Sequence, residues 1–105
     1  MKICICATGS DLESPVDQVF GRCSYFLIVD TETEEFKAIE NEAKRAMGGA
    51  GIAAAQTIAN EEVKAVIAGN VGPRALGALE QAKIEIISGV SGTAKEALKK
   101  FKEKT

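Results

Sequence analysis

Seven of the ten glycines in this chain fall in three clusters: Gly48, Gly49 and Gly51; Gly69 and Gly72; Gly89 and Gly92. Each cluster comes immediately before a segment of helical character. Gly51–Asn60 is Ala-rich, carries Ile52, Ala55 and Ile58 at helical spacing, and ends in an Asn suited to a left-handed cap. Pro73 fits the first turn of a helix running to about Gln81. Thr93 caps a last helix whose apolar face is Ala94, Ala97, Leu98 and Phe101, with lysines placed late, where they suit the helix dipole. Between these helices lie two strand-like runs, Val63–Ala68 and Ile84–Ile87. Strand and helix alternating in this way predict an α/β fold with a parallel half-sheet.

The first half reads differently. Lys2–Ala7 is a short β-branched and apolar run suited to a central strand buried on both faces. Thr8–Gly21 is rich in turn formers and predicts an extended loop with a short helical turn. Tyr25–Asp30 is a strong strand, Thr31–Glu35 a polar turn, and Phe36–Glu40 an alternating strand with one face to water, so a hairpin with an edge strand is expected. At 105 residues, 46% apolar and 27% charged, the chain is expected to form one domain over residues 1–105. A net charge of −2 gives no basic footprint for nucleic acid, and no apolar run approaches the ~20 residues needed to span a bilayer. A cytoplasmic location without a membrane or nucleic-acid partner is therefore expected.

In an open α/β sheet the loops after the strands gather on one edge, which predicts one site shared by the three glycine clusters. Helix N-termini present backbone N–H groups and partial positive charge, and glycine allows close approach, so the ligand should be anionic. Tight strand-to-helix turns are the plainer account of any one cluster. Gly49–Ala54 matches a dinucleotide fingerprint, but it follows the polar stretch Asn41–Arg45 instead of a strand, and the chain is too short for two mononucleotide-binding halves. The chain has no histidine, and no nucleophile is paired with a base, so no catalysis is expected. An odd number of cysteines, Cys4, Cys6 and Cys23, predicts free thiols or metal ligands. Cys4 and Cys6 share one strand face and suit small core positions, with Cys6 nearer the ligand edge and a ligand role open for it. Cys23 follows Arg22 in a loop, where a thiolate is plausible, and ligand and filler roles are equally open. Met47 offers a soft thioether beside the glycine cluster, although hydrophobic contact is the commoner role. Asp11, Glu13 and Asp17 read as solvated loop carboxylates.

Three stretches, Phe20–Asp30, Gly48–Gln56 and Ala68–Ala75, together with Gly92-Thr93 opening the last helix, resemble the dinitrogenase iron-molybdenum cofactor biosynthesis family over nearly the whole chain. The resemblance implies a ribonuclease H-like, three-layer α/β/α fold with a five-stranded mixed sheet of order 3-2-1-4-5 and strand 2 antiparallel. It further implies a binding or carrier protein for an anionic iron–sulfur or iron–molybdenum type cluster. On this reading the cluster is held by Gly21, Arg22, Gly48, Gly49, Gly51, Asn70, Gly72, Gly92 and Thr93, with Cys23, Cys6 and Met47 as metal donors. The expected partner is a cluster donor or acceptor protein, with the chain a monomer or weak homo-oligomer. The alternative is a regulatory or binding module for a phosphorylated small molecule at the same loops, with Arg22 or Arg74 as counter-charge.

Overall fold

The computed structural model describes residues 1–45 and 48–104, with the backbone alone at residue 45. Met47 lies outside the described residues. The strands are β1 (Lys2–Ala7), β2 (Tyr25–Asp30), β3 (Phe36–Glu40), β4 (Ala65–Ile67) and β5 (Glu85–Ile87); the helices are α1 (Ala50–Ala59), α2 (Pro73–Gln81) and α3 (Ala94–Glu103). The strands form one sheet of order β3-β2-β1-β4-β5. β2 is antiparallel to both neighbours, whereas β4 is parallel to β1 and β5, so β2 alone runs against the rest. This is the order and direction expected above.

The layers follow from the period-2 alternation of β1. Cys4 and Cys6 point to the face covered by α1 and α2, where they meet Phe26, Ile28, Val66, Ala54, Ile58 and Leu79. Ile3, Ile5 and Ala7 point to the other face, against Ala97, Leu98 and Phe101 of α3. Both faces of β1 are dry, which explains why it reads as a continuous apolar run. Each fully buried Phe or Ile contributes roughly 1.5–3 kcal/mol through burial. At the edge, β3 leaves Phe36 exposed and turns only Ile39 part-way inward.

One local expectation changes, at Asn60, and the loop expected over 8–21 with its short helical turn is borne out. Asn60 is not left-handed (φ −65°); its N–H bonds Gln56, and the chain tightens through Glu61 and Glu62 before turning at Glu62, φ 61°. The predicted loop over 8–21 is a strap across the carboxyl ends of the strands. Its N–H groups reach Cys6 O from Asp17 (2.8 Å), Gly92 O from Val16 (2.8 Å) and Asn70 O from Phe20 (2.9 Å). It ends in a 3₁₀ turn, Phe20–Arg22, with Phe20 fully buried against Phe26, ring centroids 6.0 Å apart. No helix among the described residues is long and apolar enough to cross a membrane.

Candidate functional site

The strap brings the Phe20–Arg22 turn against the N-terminal ends of α1 and α2, and a groove of about 440 Å³ opens between them. Its walls are Val19, Gly21 and Arg22 from the strap, Gly49–Ile52 from α1, and Gly72–Ala75 from α2. The three segments approach to distances that only small residues permit. A Cβ on Gly21 would lie 2.8 Å from Cα and N of Gly51, and a Cβ on Gly51 would lie 2.9 Å from the Ala75 Cβ.

The helix ends in this groove carry no side-chain caps. The N-cap of α1 is Gly49, held at φ 73°, a left-handed geometry that glycine adopts without strain; the N-cap of α2 is Gly72. The first hydrogen bonds back to these caps are Ala53 N–H to Gly49 O (3.0 Å) and Leu76 N–H to Gly72 O (2.9 Å). The N–H groups of Ala50, Gly51, Ile52, Arg74 and Ala75 therefore precede them, in the region where the helix dipole is positive. Arg22 and Arg74 are exposed at the margins, and no Asp or Glu is among the described lining residues. Arg22 Nη1 also donates to Lys44 O at 2.7 Å. Two other depressions, about 260 and 540 Å³, lie over α3 among residues of mixed charge; the larger takes in Lys95 and Glu96 of the first turn of α3, a helix end that Thr93 and Glu96 cap with their own side chains.

The predicted site residues divide. Gly21, Arg22, Gly49, Gly51 and Gly72 line the groove. Gly48 is exposed beside it, and Asn70 supports it from behind by accepting the Phe20 N–H and bridging Val19. Gly92 and Thr93 are elsewhere, because α3 packs on the opposite face of the sheet. Gly92 O is taken by Val16, and Thr93 forms a reciprocal capping box with Glu96: Glu96 N–H to Thr93 Oγ1 at 3.1 Å, Thr93 N–H to Glu96 Oε1 at 2.9 Å. That helix end is satisfied internally, so the single site shared by three glycine clusters becomes a groove built by two.

The cysteines take the free-thiol and core alternatives of the sequence reading. Cys4, Cys6 and Cys23 are all fully buried free thiols in the core beneath α1 and α2. The 3₁₀ turn points the Cys23 side chain inward, away from the exposed Arg22. Cys23 lies inside, apart from the exposed guanidinium: hydrogen bonding to Cys6 and then burial push its pKa up, and burial does the same to Cys6. Among the described residues no three His, Cys, Asp or Glu side chains converge on a metal position.

Sequence reasoning missed three kinds of contributor: the apolar walls Val19, Ile52 and Pro73, the close-contact residue Ala75, and Asn41, which supports the groove from inside. The Thr93-x-x-Glu96 spacing, by contrast, is a readable capping-box signal that α3 would close its own end.

Comparison with known proteins gives the family. Residues 1–104 match the family described as dinitrogenase iron-molybdenum cofactor. An uncharacterized protein of Methanocaldococcus jannaschii is 39% identical over 87 residues, covering 80% of this chain and 74% of that one. Among solved structures, the apo form of the orange protein from Desulfovibrio gigas superposes with a TM-score of 0.95 at 32% identity, over 98% of this chain and 88% of that one. A Thermotoga protein solved by NMR and assigned to the DUF35 family gives 0.84 at 34% identity, over 97% and 87%. The chain belongs to the dinitrogenase iron-molybdenum cofactor family.

Proposed function

We propose that the protein binds and carries an anionic metal–sulfur cluster as cargo in the groove between α1, α2 and the strap. The observation that carries this reading is the pair of helix N-termini without side-chain caps, opening into one groove flanked by Arg22 and Arg74 and lined by no carboxylate among the described residues. Family membership supplies the class of cargo, and the similar structure of an apo form is consistent with a separable bound group.

The donor set bears on how such cargo is held. Iron–sulfur clusters anchored by the protein use cysteine thiolates. The three thiols here are sealed in the core, and burial and mutual hydrogen bonding hold those of Cys6 and Cys23 toward the protonated form, so the set does not fit that role. What fits is an anion that brings its own sulfide shell and is held from outside by backbone N–H groups and guanidinium. A volume of about 440 Å³ is within the usual range of small-ligand sites. The role assigned is binding and transfer, with a donor or acceptor protein as the other party, and no reaction.

The test is anaerobic mixing with tetrathiomolybdate and, separately, with a synthetic thiolate-capped iron–sulfur cluster, followed by gel filtration, iron and molybdenum analysis and visible spectra. Stoichiometric uptake with sulfur-to-metal charge-transfer bands is expected. A charge-assisted hydrogen bond is worth about 1.5–3 kcal/mol, so Arg74→Ala should weaken uptake by about tenfold or more, whereas Cys23→Ala should leave it intact. Failure of the unaltered protein to take up either anion refutes the reading. Stabilisation by a nucleotide in its place would identify a phosphorylated small molecule as the ligand.

A further inference from the structure

Asn41, immediately after β3, is the one polar side chain buried among the described residues, 3% exposed. A buried amide is costly unless its hydrogen bonds are made, and this one makes them all around. Its Nδ2 donates to Gly21 O (3.2 Å) and to Cys23 O (2.9 Å), its Oδ1 accepts from Ala43 N–H (3.1 Å), and its own N–H donates to Ser24 O (3.0 Å). The amide orientation follows from the partners: two carbonyls can only accept and the Ala43 N–H can only donate.

Gly21 and Cys23 flank Arg22. By drawing both flanking carbonyls inward, the Asn41 amide leaves the residue between them turned out into the groove, where Arg22 is exposed and forms part of the wall. Its Oδ1 meanwhile holds Ala43, in the 3₁₀ turn Glu42–Arg45, and the next carbonyl along, that of Lys44, accepts the Arg22 Nη1 bond. One buried side chain thus ties the strap wall of the groove to the segment that leads toward α1.

We propose that Asn41 is the positioning residue of the groove: it sets the outward pose of Arg22 and the spacing between the Phe20–Arg22 turn and the N-terminus of α1, and through them the affinity for an anion it does not touch. This rests on the anion-binding reading of the groove. Asn41→Asp is the sharpest variant, because it keeps size and the Oδ1 acceptor but presents an oxygen to two carbonyls that need a donor. Asn41→Ala serves if the aspartate variant does not fold.

The experiment has two arms. In ¹⁵N–¹H spectra without ligand, the amide resonances of Gly21, Arg22, Gly49 and Gly51 should move in the Asn41 variant while those of α3 stay in place. Titration with tetrathiomolybdate should show affinity reduced by about tenfold in the folded variant. Ile84→Val, a core change outside the groove, should bind as the unaltered protein does despite its own loss of thermal stability. Shifts confined to residues 41–44, or unchanged affinity beside shifted groove resonances, overturn the assignment and leave Asn41 a core residue only. If the unaltered protein binds no tetrathiomolybdate, the cargo reading has failed, and the resonances alone decide whether Asn41 shapes the groove.

Discussion

Replacing Gly21 by alanine places a methyl carbon 2.8 Å from Cα and N of Gly51 and 3.1 Å from the carbonyl carbon of Ala50. All three atoms are backbone, so no rotamer change relieves the clash. Ordinary contact begins near 3.4 Å, and the 3₁₀ turn and α1 must therefore part by about 0.6 Å. The turn cannot drift outward freely, because Phe20 is fully buried and Asn41 holds Gly21 O and Cys23 O. Gly21 is not in the left-handed region, so the penalty is steric alone. Overpacking of this kind costs about 1–3 kcal/mol, and for a domain near this size each kcal/mol shifts Tm by roughly 4–8 °C. Gly77→Ala is the matched control: it lies in α2, nothing stands within 4 Å of the added Cβ, and replacing a mid-helix glycine should stabilise by about 0.5–1 kcal/mol. The assay is urea unfolding followed by far-ultraviolet circular dichroism, suited to a chain with one tyrosine and no tryptophan. The steric account is refuted if Gly21→Ala unfolds within about 0.5 kcal/mol of the parent at unchanged m.

Other outcomes follow from the same structure. The Glu96 carboxyl is held below its ordinary value of 4.5, first by the Thr93 N–H and then by the Thr93 hydroxyl. A depressed folded pKa adds stability that is fully present above 4.5 and is lost as pH falls through the depressed value, so the stability gap between the parent and Glu96→Gln should narrow below pH 4.5; parallel curves would show that the capping box does not titrate. Native protein at pH 8 should resist a thiol-reactive disulfide reagent at all three cysteines and react fully in urea; prompt labelling of Cys23 in the native state would contradict its burial. Lys83 sits at φ 60° just past α2, where glycine avoids a left-handed cost of about 1–2 kcal/mol, so Lys83→Gly should raise the urea midpoint, and a lower midpoint would count against that strain.

Much of the architecture was legible because its signals are local. The alternation of Cys4 and Cys6 against Ile3, Ile5 and Ala7 marks a strand covered on both sides, and Pro73 and Thr93 mark where α2 and α3 begin. Strand order came through resemblance, since periodicity does not say which strand lies beside which. The groove was half legible. Glycine clusters indicate helix entries, but the face of the sheet a helix covers depends on its crossover, and α3 crosses to the far side. Cys23 misled because a loop residue beside an arginine suggests solvent, whereas one tight turn after buried Phe20 reverses the direction of the next side chain. Asn41 gave no signal at all: a polar residue after an edge strand reads as surface, and its role exists only once Gly21 and Cys23, some twenty positions earlier, fold back over it.

If the groove takes sulfur-rich anions as proposed, the sealed thiols have a chemical consequence. A thiolate within reach would compete with sulfide for metal, and every encounter would risk ligand exchange that dismantles the cargo or strands it on the protein. With Cys4, Cys6 and Cys23 inside the core and the described groove furnished by main-chain N–H and guanidinium groups, the described surface that would meet such a cargo presents no thiolate to it. On that reading retention would depend on charge and shape, which release without breaking a bond, so ionic strength or a better-matched partner surface would suffice to unload the cargo intact.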